Sequence, residues 1–303
     1  VPEQVAALPS GIDLCFETFG DAADPTVLLV MGVGGPMGWW DTDFCRMLAD
    51  RGYRVVRYDN RDTGRSTKLE GFTVSRLDVV RAWLGLGRAP YGLDDLAADA
   101  FGLLDHLGVE RAHVVGVSMG GMIAQTMAIA RPERVASLVS MSSTTGRRRV
   151  GFQHPSVLKP FLANVPLDRD AYVTRTIRGS VLIGSPGFPT HEDVHRTRAE
   201  QTWDRGWVRG GSLRHTLAVL TQPDRTRDLA DLTMPVAVVH GTRDPLVDKS
   251  GGRATAAAVP GAELVEIAGM GHDLPAPLWG TFVDVVARTA ARAGDPPRDA
   301  PAR

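Results

Sequence analysis

The sequence predicts an α/β protein built on a mostly parallel, twisted sheet flanked by helices. Three observations predict it. Short, nearly continuous apolar runs recur along the chain, as strands covered on both faces require. Segments with one apolar side and helical spacing lie between them. The rhythm breaks once, between about residues 147 and 227, and then resumes. Alternating strands and helices imply parallel pairing with right-handed crossovers.

The elements follow in order. Residues 12–19 (IDLCFETF) alternate in polarity and read as an antiparallel edge strand. Residues 27–31 (VLLVM), 53–58 (YRVVRY), 113–117 (HVVGV), 135–141 (VASLVSM), 236–240 (VAVVH) and 263–267 (ELVEI) read as the strands of the sheet. Residues 93–107 place Leu96, Ala100, Leu103, Leu104 and Leu107 on one side of a helix. The interval 147–227 holds helical fragments, prolines at 155, 160, 166, 186 and 189, and no apolar strand pair. It reads as a helical cap inserted before the penultimate strand. The core is then 1–146 plus 228–293, and 294–303 (GDPPRDAPAR) is a flexible tail.

Composition bounds the function. At 303 residues, one large domain with an insertion, or two domains, is expected. Thirty-four basic against 35 acidic side chains give a net charge of -1. No field of one sign draws the chain to nucleic acid or an anionic membrane, so neither is expected as a partner. The run Arg147, Arg148, Arg149 reads as a solvated loop. No apolar run approaches the roughly 20 residues of a membrane helix. Cys15 and Cys45 have no metal-type spacing and are too few for a disulfide framework. With no signal peptide visible, a cytoplasmic location is expected. Nothing in the sequence sets the oligomeric state.

Chemistry concentrates at Gly116-Val117-Ser118-Met119-Gly120, a G-x-S-x-G sequence. It follows an apolar strand and opens a helix that ends at Arg131-Pro132. That context reads as a sharp strand-to-helix turn projecting a serine Oγ above the sheet edge. The bland alternative is a Gly/Ser turn in an ordinary α/β protein. A serine nucleophile needs a base, and the base an orienting acid. His272, in Gly269-Met270-Gly271-His272-Asp273 directly after the last strand, is the expected base. Asp244, after the penultimate strand and held extended by Pro245, is the expected acid, with Asp248 and Asp273 as rivals. Two backbone N–H groups must face the developing oxyanion. Met119 supplies one, and the glycine-rich loop after the strand at 27–31 the other, through Val33 or alternatively Gly34.

Together these motifs resemble the α/β-hydrolase fold across nearly the whole chain. VLLVMGVGG, YDNRDTGRS, HVVGVSMGG, HGTRDP and GMGHDLP are similar to actinobacterial esterases related to aclacinomycin methylesterase. The resemblance implies a Ser-His-Asp triad on Ser118, His272 and Asp244, an oxyanion hole at Val33 and Met119, a helical cap and no cofactor. It implies hydrolysis of a carboxylic ester, with an apolar or aromatic small molecule as the substrate partner and a natural-product methyl ester as one candidate. The wider superfamily often has His-Gly before the oxyanion loop. Here the pair is Met31-Gly32, so the loop's anchoring bonds must differ.

Other patterns carry less. His191-Glu192-Asp193-Val194-His195 matches a zinc-protease signature but falls at a helix start, so no metal is expected. Asp59, Arg61, Asp62 and Arg65 read as charges knitting one loop. Gly34, Trp39, Trp40, Trp203 and Trp207 are candidates for the substrate pocket, although paired tryptophans also suit core packing. A lactonase or perhydrolase with the same triad, a non-hydrolytic enzyme and a ligand-binding protein are the competing readings.

Overall fold

The computed structural model describes residues 2–157 and 168–295. Its sheet has eight strands in the order β1-β2-β4-β3-β5-β6-β7-β8. These are β1 (Gln4–Ala7), β2 (Asp13–Phe19), β3 (Thr26–Val30), β4 (Arg54–Tyr58), β5 (Ala112–Val117), β6 (Val135–Met141), β7 (Val236–Gly241) and β8 (Glu263–Ile267). β1 and β2 are antiparallel, and every pairing from β4 to β8 is parallel.

The central strands are mostly apolar and buried along their whole length, as strands covered on both faces must be. Along β3, Leu28 and Val30 join one core cluster, while Val27 and Leu29 join the other. Side chains of a strand alternate in direction, so each strand feeds two layers. On one face, α3 (Leu93–His106) and α4 (Met119–Ala130) contribute Leu96, Leu103, Ile123 and Met127. On the other, α1 (Thr42–Ala49) and a C-terminal helix, Trp279–Ala291, contribute Phe44, Leu48, Phe282 and Val286.

β1 and one further helix are among the elements that the sequence expectations did not name. β1 is a four-residue edge strand with only Ala6 buried, too short for a period-two pattern to register. α2 (Arg76–Trp83) starts at Ser75 in a capping box: Ser75 Oγ accepts from Asp78 N, and Asp78 accepts from Ser75 N. Between β6 and β7 the described residues contain no strand. They form α5 (Arg169–Ile183), α6 (Glu192–Asp204) and α7 (Arg209–Leu220). Pro160 and Pro166 lie outside the described residues. Beyond β7 come α8 (Ser250–Ala258) and α9 (Trp279–Ala291).

The expected tail at 294–303 is described only to Asp295, and that part is tied down. Tyr53 OH donates to the Asp295 carbonyl at 3.3 Å, and the Asp295 carboxylate lies 3.3 Å from His113 Nε2. The remainder lies outside the described residues.

Candidate active site

β5 ends at Val117, and Ser118 turns the chain into α4 with φ +58° and ψ -121°. A non-glycine residue in such a conformation costs on the order of 1–3 kcal/mol, so its surroundings must hold it. They do so through the backbone. Ser118 N donates to Met141 O at 2.9 Å. The Ser118 carbonyl accepts from Ser143 Oγ at 2.8 Å and from Gly121 N at 3.0 Å. The flanking glycines are obligatory for space. A Cβ on Gly116 would lie 2.1 Å from Gly120 O, and one on Gly120 would lie 2.0 Å from Val30 O.

His272 and Asp244 meet although 28 residues separate them. His272 Nδ1 and Asp244 Oδ2 are 2.7 Å apart. The other carboxylate oxygen accepts from Leu246 N at 2.9 Å and Val247 N at 2.8 Å, which fixes the carboxylate plane. The rivals are engaged elsewhere. Asp248 accepts from Ser250 N at the start of α8, and Asp273 accepts from Ser185 Oγ. His240 lies 3.6 Å from Asp244 but donates Nε2–H to Val247 O at 2.8 Å, and burial holds its pKa below the usual histidine range.

The His272 loop is clamped from outside the sheet. His272 N donates to Ile183 O at 2.7 Å, and Gly271 N to Ser185 Oγ at 2.8 Å. The contact needs glycine, since a Cβ on Gly271 would lie 2.3 Å from Gly184 O. Ser118 Oγ makes no hydrogen bond among the described residues, to the imidazole included.

The loop after β3 runs past the serine. A Cβ on Gly32 would lie 3.1 Å from Ser118 Cβ and 3.6 Å from its Oγ. Among the described residues, neither Val33 N–H nor Met119 N–H has a hydrogen-bond partner. Gly34, the alternative donor, is already committed: its N–H donates to His215 Nδ1 at 3.1 Å. The anchors that replace a His-Gly pair are side chains of the next strand and its loop. Asn60 Nδ2 donates to Met31 O at 3.1 Å, and Asp59 accepts from Met37 N at 2.6 Å. Arg57 donates to Trp40 O. The YDNRDTGRS stretch thus knits the loop after β3 as well as itself.

The tryptophans divide. Trp39 is half-buried beside this loop and donates Nε1–H to Thr202 Oγ1 on α6 at 3.0 Å. Trp40 corrects the sequence expectation of a pocket residue. It is fully buried and stacks on Phe44 with ring centroids 5.6 Å apart, because its apolar bulk fills the layer under α1. Trp203 and Trp207 stack 5.1 Å apart and both pack on Tyr172, joining α5 to α6. His191 is the N-cap residue of α6, and Glu192 pairs with Arg196 at 3.0 Å. Among the described residues no three His, Cys, Asp or Glu side chains form a metal-binding group.

Sequence reasoning missed His215 and Ser185. Each is a single residue in the irregular interval, where no local pattern shows which loop it will meet.

A strained serine after a parallel strand, and a histidine–aspartate pair after the last two strands, define a class. The family model of the α/β-hydrolase fold matches residues 25–275, and the chain belongs to that family. Within it, the chain is similar to rhodomycin D methylesterase of Streptomyces peucetius. The two are 30% identical over 285 residues, covering 87% of this chain and 90% of the relative. Rhodomycin D methylesterase of Streptomyces sp. strain C5 matches at the same identity and coverage. Among solved structures, an esterase from Rhodococcus sp. ECU1013 superposes with a TM-score of 0.71 at 22% identity, covering 96% of this chain and 99% of that one. No helix among the described residues is long and apolar enough to cross a membrane.

Proposed function

We propose that this chain, a hydrolase of ester bonds by its family and relatives, is a serine carboxylesterase working through Ser118, His272 and Asp244. The observation that carries the reading is the 2.7 Å contact between His272 Nδ1 and Asp244, made by loops that end at the same sheet edge as the strained Ser118. Asp244 has one oxygen free of backbone bonds, and it accepts the imidazole Nδ1–H. That leaves Nε2 as the basic nitrogen.

In the reaction, Ser118 Oγ attacks the ester carbon while His272 Nε2 takes its proton. In free enzymes such catalytic hydrogen bonds are commonly loose and tighten with substrate in place. The carbonyl oxygen becomes an oxyanion and accepts from Val33 and Met119 N–H, donors without a partner among the described residues. Its collapse expels the alcohol, protonated by His272. Water, deprotonated by the same nitrogen, attacks the acyl-serine and releases the acid. The sequence of steps needs no cofactor.

The acyl group we propose is apolar or aromatic, with a polyketide methyl ester as the representative substrate. The relatives named for rhodomycin D support this choice, and Trp39 beside the oxyanion loop supplies an aromatic surface. The helices α5, α6 and α7 act as the cap.

A fluorophosphonate probe followed by intact-mass analysis tests the mechanism. One adduct per chain, mapped to Ser118 and lost in His272→Ala, is the expected result. Labelling that survives Ser118→Ala, or esterase turnover in that variant, would overturn it.

A further inference from the structure

The oxyanion loop has little to hold it by itself. Within residues 32–36 the one backbone bond is Gly35 N to Gly32 O, at 3.3 Å. Gly34 sits at φ +66°, a left-handed conformation that glycine adopts as readily as others and that does not by itself fix the loop. Its N–H nevertheless has a fixed partner, 181 residues away on α7: His215 Nδ1 at 3.1 Å. The far side of the same ring is fixed too, with Nε2 2.8 Å from the Arg61 carbonyl.

These two partners dictate the state of the ring. An amide N–H can only donate, so Nδ1 must carry the lone pair. A carbonyl can only accept, so Nε2 must carry the proton. Only the neutral Nε2–H tautomer satisfies both. His215 is fully buried, and burial pushes its pKa down to about 4, against the pull of Asp62 and alongside the opposing charges of Arg214 and Arg61. The Tyr91 ring stands edge-on to the imidazole at 6.2 Å.

The helix that carries His215 is itself pinned at this point. Arg214 grips both oxygens of Asp62, at 2.6 and 2.7 Å, and Tyr91 OH donates to the same carboxylate at 2.6 Å. Ser212 fills the space a Cβ would take on Gly34, its Oγ only 2.5 Å from that position. Residues 212, 214 and 215 therefore meet the oxyanion loop and the Arg61-Asp62 turn as one joint.

We propose that His215 is a positioning residue for catalysis, which holds the Gly34 N–H so that the neighbouring Val33 N–H is aimed at the reacting carbonyl. The proposal rests on the serine-esterase reading. Gly32 passes close to Ser118 on one side, and His215 holds the peptide of Gly34 on the other. The peptide that bears the Val33 N–H lies between Gly32, whose carbonyl accepts from Gly35 N, and the peptide that His215 holds. The oxyanion hole is then completed by α7, a helix outside the run of core strands.

The test compares His215→Phe, which keeps a ring but removes both polar atoms, with His215→Asn, whose side-chain oxygen falls near the Nδ1 position. With p-nitrophenyl acetate as substrate, the Phe variant should lose about 10- to 100-fold in kcat, the cost of a donor displaced by a fraction of an ångström to an ångström. Its KM should stay within about threefold, since the donor acts on the transition state. The Asn variant should recover most of kcat. A folded Phe variant with wild-type kcat, or an Asn variant as slow as the Phe variant, would overturn the proposal. If the Phe variant does not fold, long-range 15N–1H spectra of the wild-type enzyme decide the matter. The Nε2–H tautomer at neutral pH is required, and an imidazolium or an Nδ1–H ring refutes it. Turnover persisting in Ser118→Ala would instead mark failure of the serine-esterase reading.

Discussion

Ser118 has a backbone conformation that costs stability, and on the proposed mechanism the same turn presents the nucleophile. Its φ of +58° is tolerated because Gly116 and Gly120 leave no Cβ in the way. Gly120→Ala should therefore destabilise the fold by at least about 2 kcal/mol, read as a lowered urea midpoint, since the new methyl meets Val30 O. Asp244 makes a second prediction at this scale. An amide at 244 can present an N–H to His272 Nδ1 and so favour the wrong tautomer. Asp244→Asn should leave the fold intact and lower kcat by about ten-thousand-fold, checked by steady-state kinetics beside a thermal melt. The motif around Ser118 was legible because its chemistry is local: strand, glycine, serine, glycine and helix are contiguous. His215 was not legible, because a lone helix histidine carries no mark of the loop it will meet.

The central strands place alternate residues in two cores, and Ser118, Asp244 and His272 follow the ends of β5, β7 and β8. The predicted strands at 135–141 and 263–267 coincide with β6 and β8, and the others shift by a residue or so at their ends. α2 went unpredicted although its start signal, Ser75 three residues before Asp78, stands in the sequence. The signal is short, and the helix behind it buries only Val79 and Ala82, so its periodicity is weak. Ser75→Ala should cost about 1 kcal/mol, measured by urea unfolding. The end of α5 is a more consequential element, because Ser185 holds both Gly271 N and Asp273 beside His272, the proposed base. Ser185→Ala should lower kcat by about tenfold through a looser His272 loop, with little change in KM.

Over the whole molecule, several histidines are buried and kept neutral. His113, His195, His215 and His240 all have pKa values pushed below the usual range, with burial the largest cause in each. A histidine takes up a proton near pH 6.5 once unfolded. In the folded chain His215 resists protonation down to about 4. The unfolded state therefore binds more protons between these values. The stabilisation is fully present above about pH 6.5 and is lost as pH falls toward about 4. For the fully buried His215 the loss is roughly 3 kcal/mol by pH 4. Urea midpoints measured from pH 7.5 to 4.5 should fall with acid, and His215→Asn should flatten the slope.

The sequence by itself determined the α/β class, the strand positions, the sharp turn at Ser118 and the loops bearing Asp244 and His272. Those properties follow from local periodicity, from glycine geometry and from residues adjacent in the chain. Tertiary structure alone decided which carboxylate reaches the imidazole, which N–H groups of the loop after β3 stay free, and that Trp40 packs in the core. Each of these depends on a contact between distant segments, where a shift of one ångström makes or breaks a hydrogen bond. Nothing in the order of residues along the chain encodes such a distance until the sheet has brought the segments together.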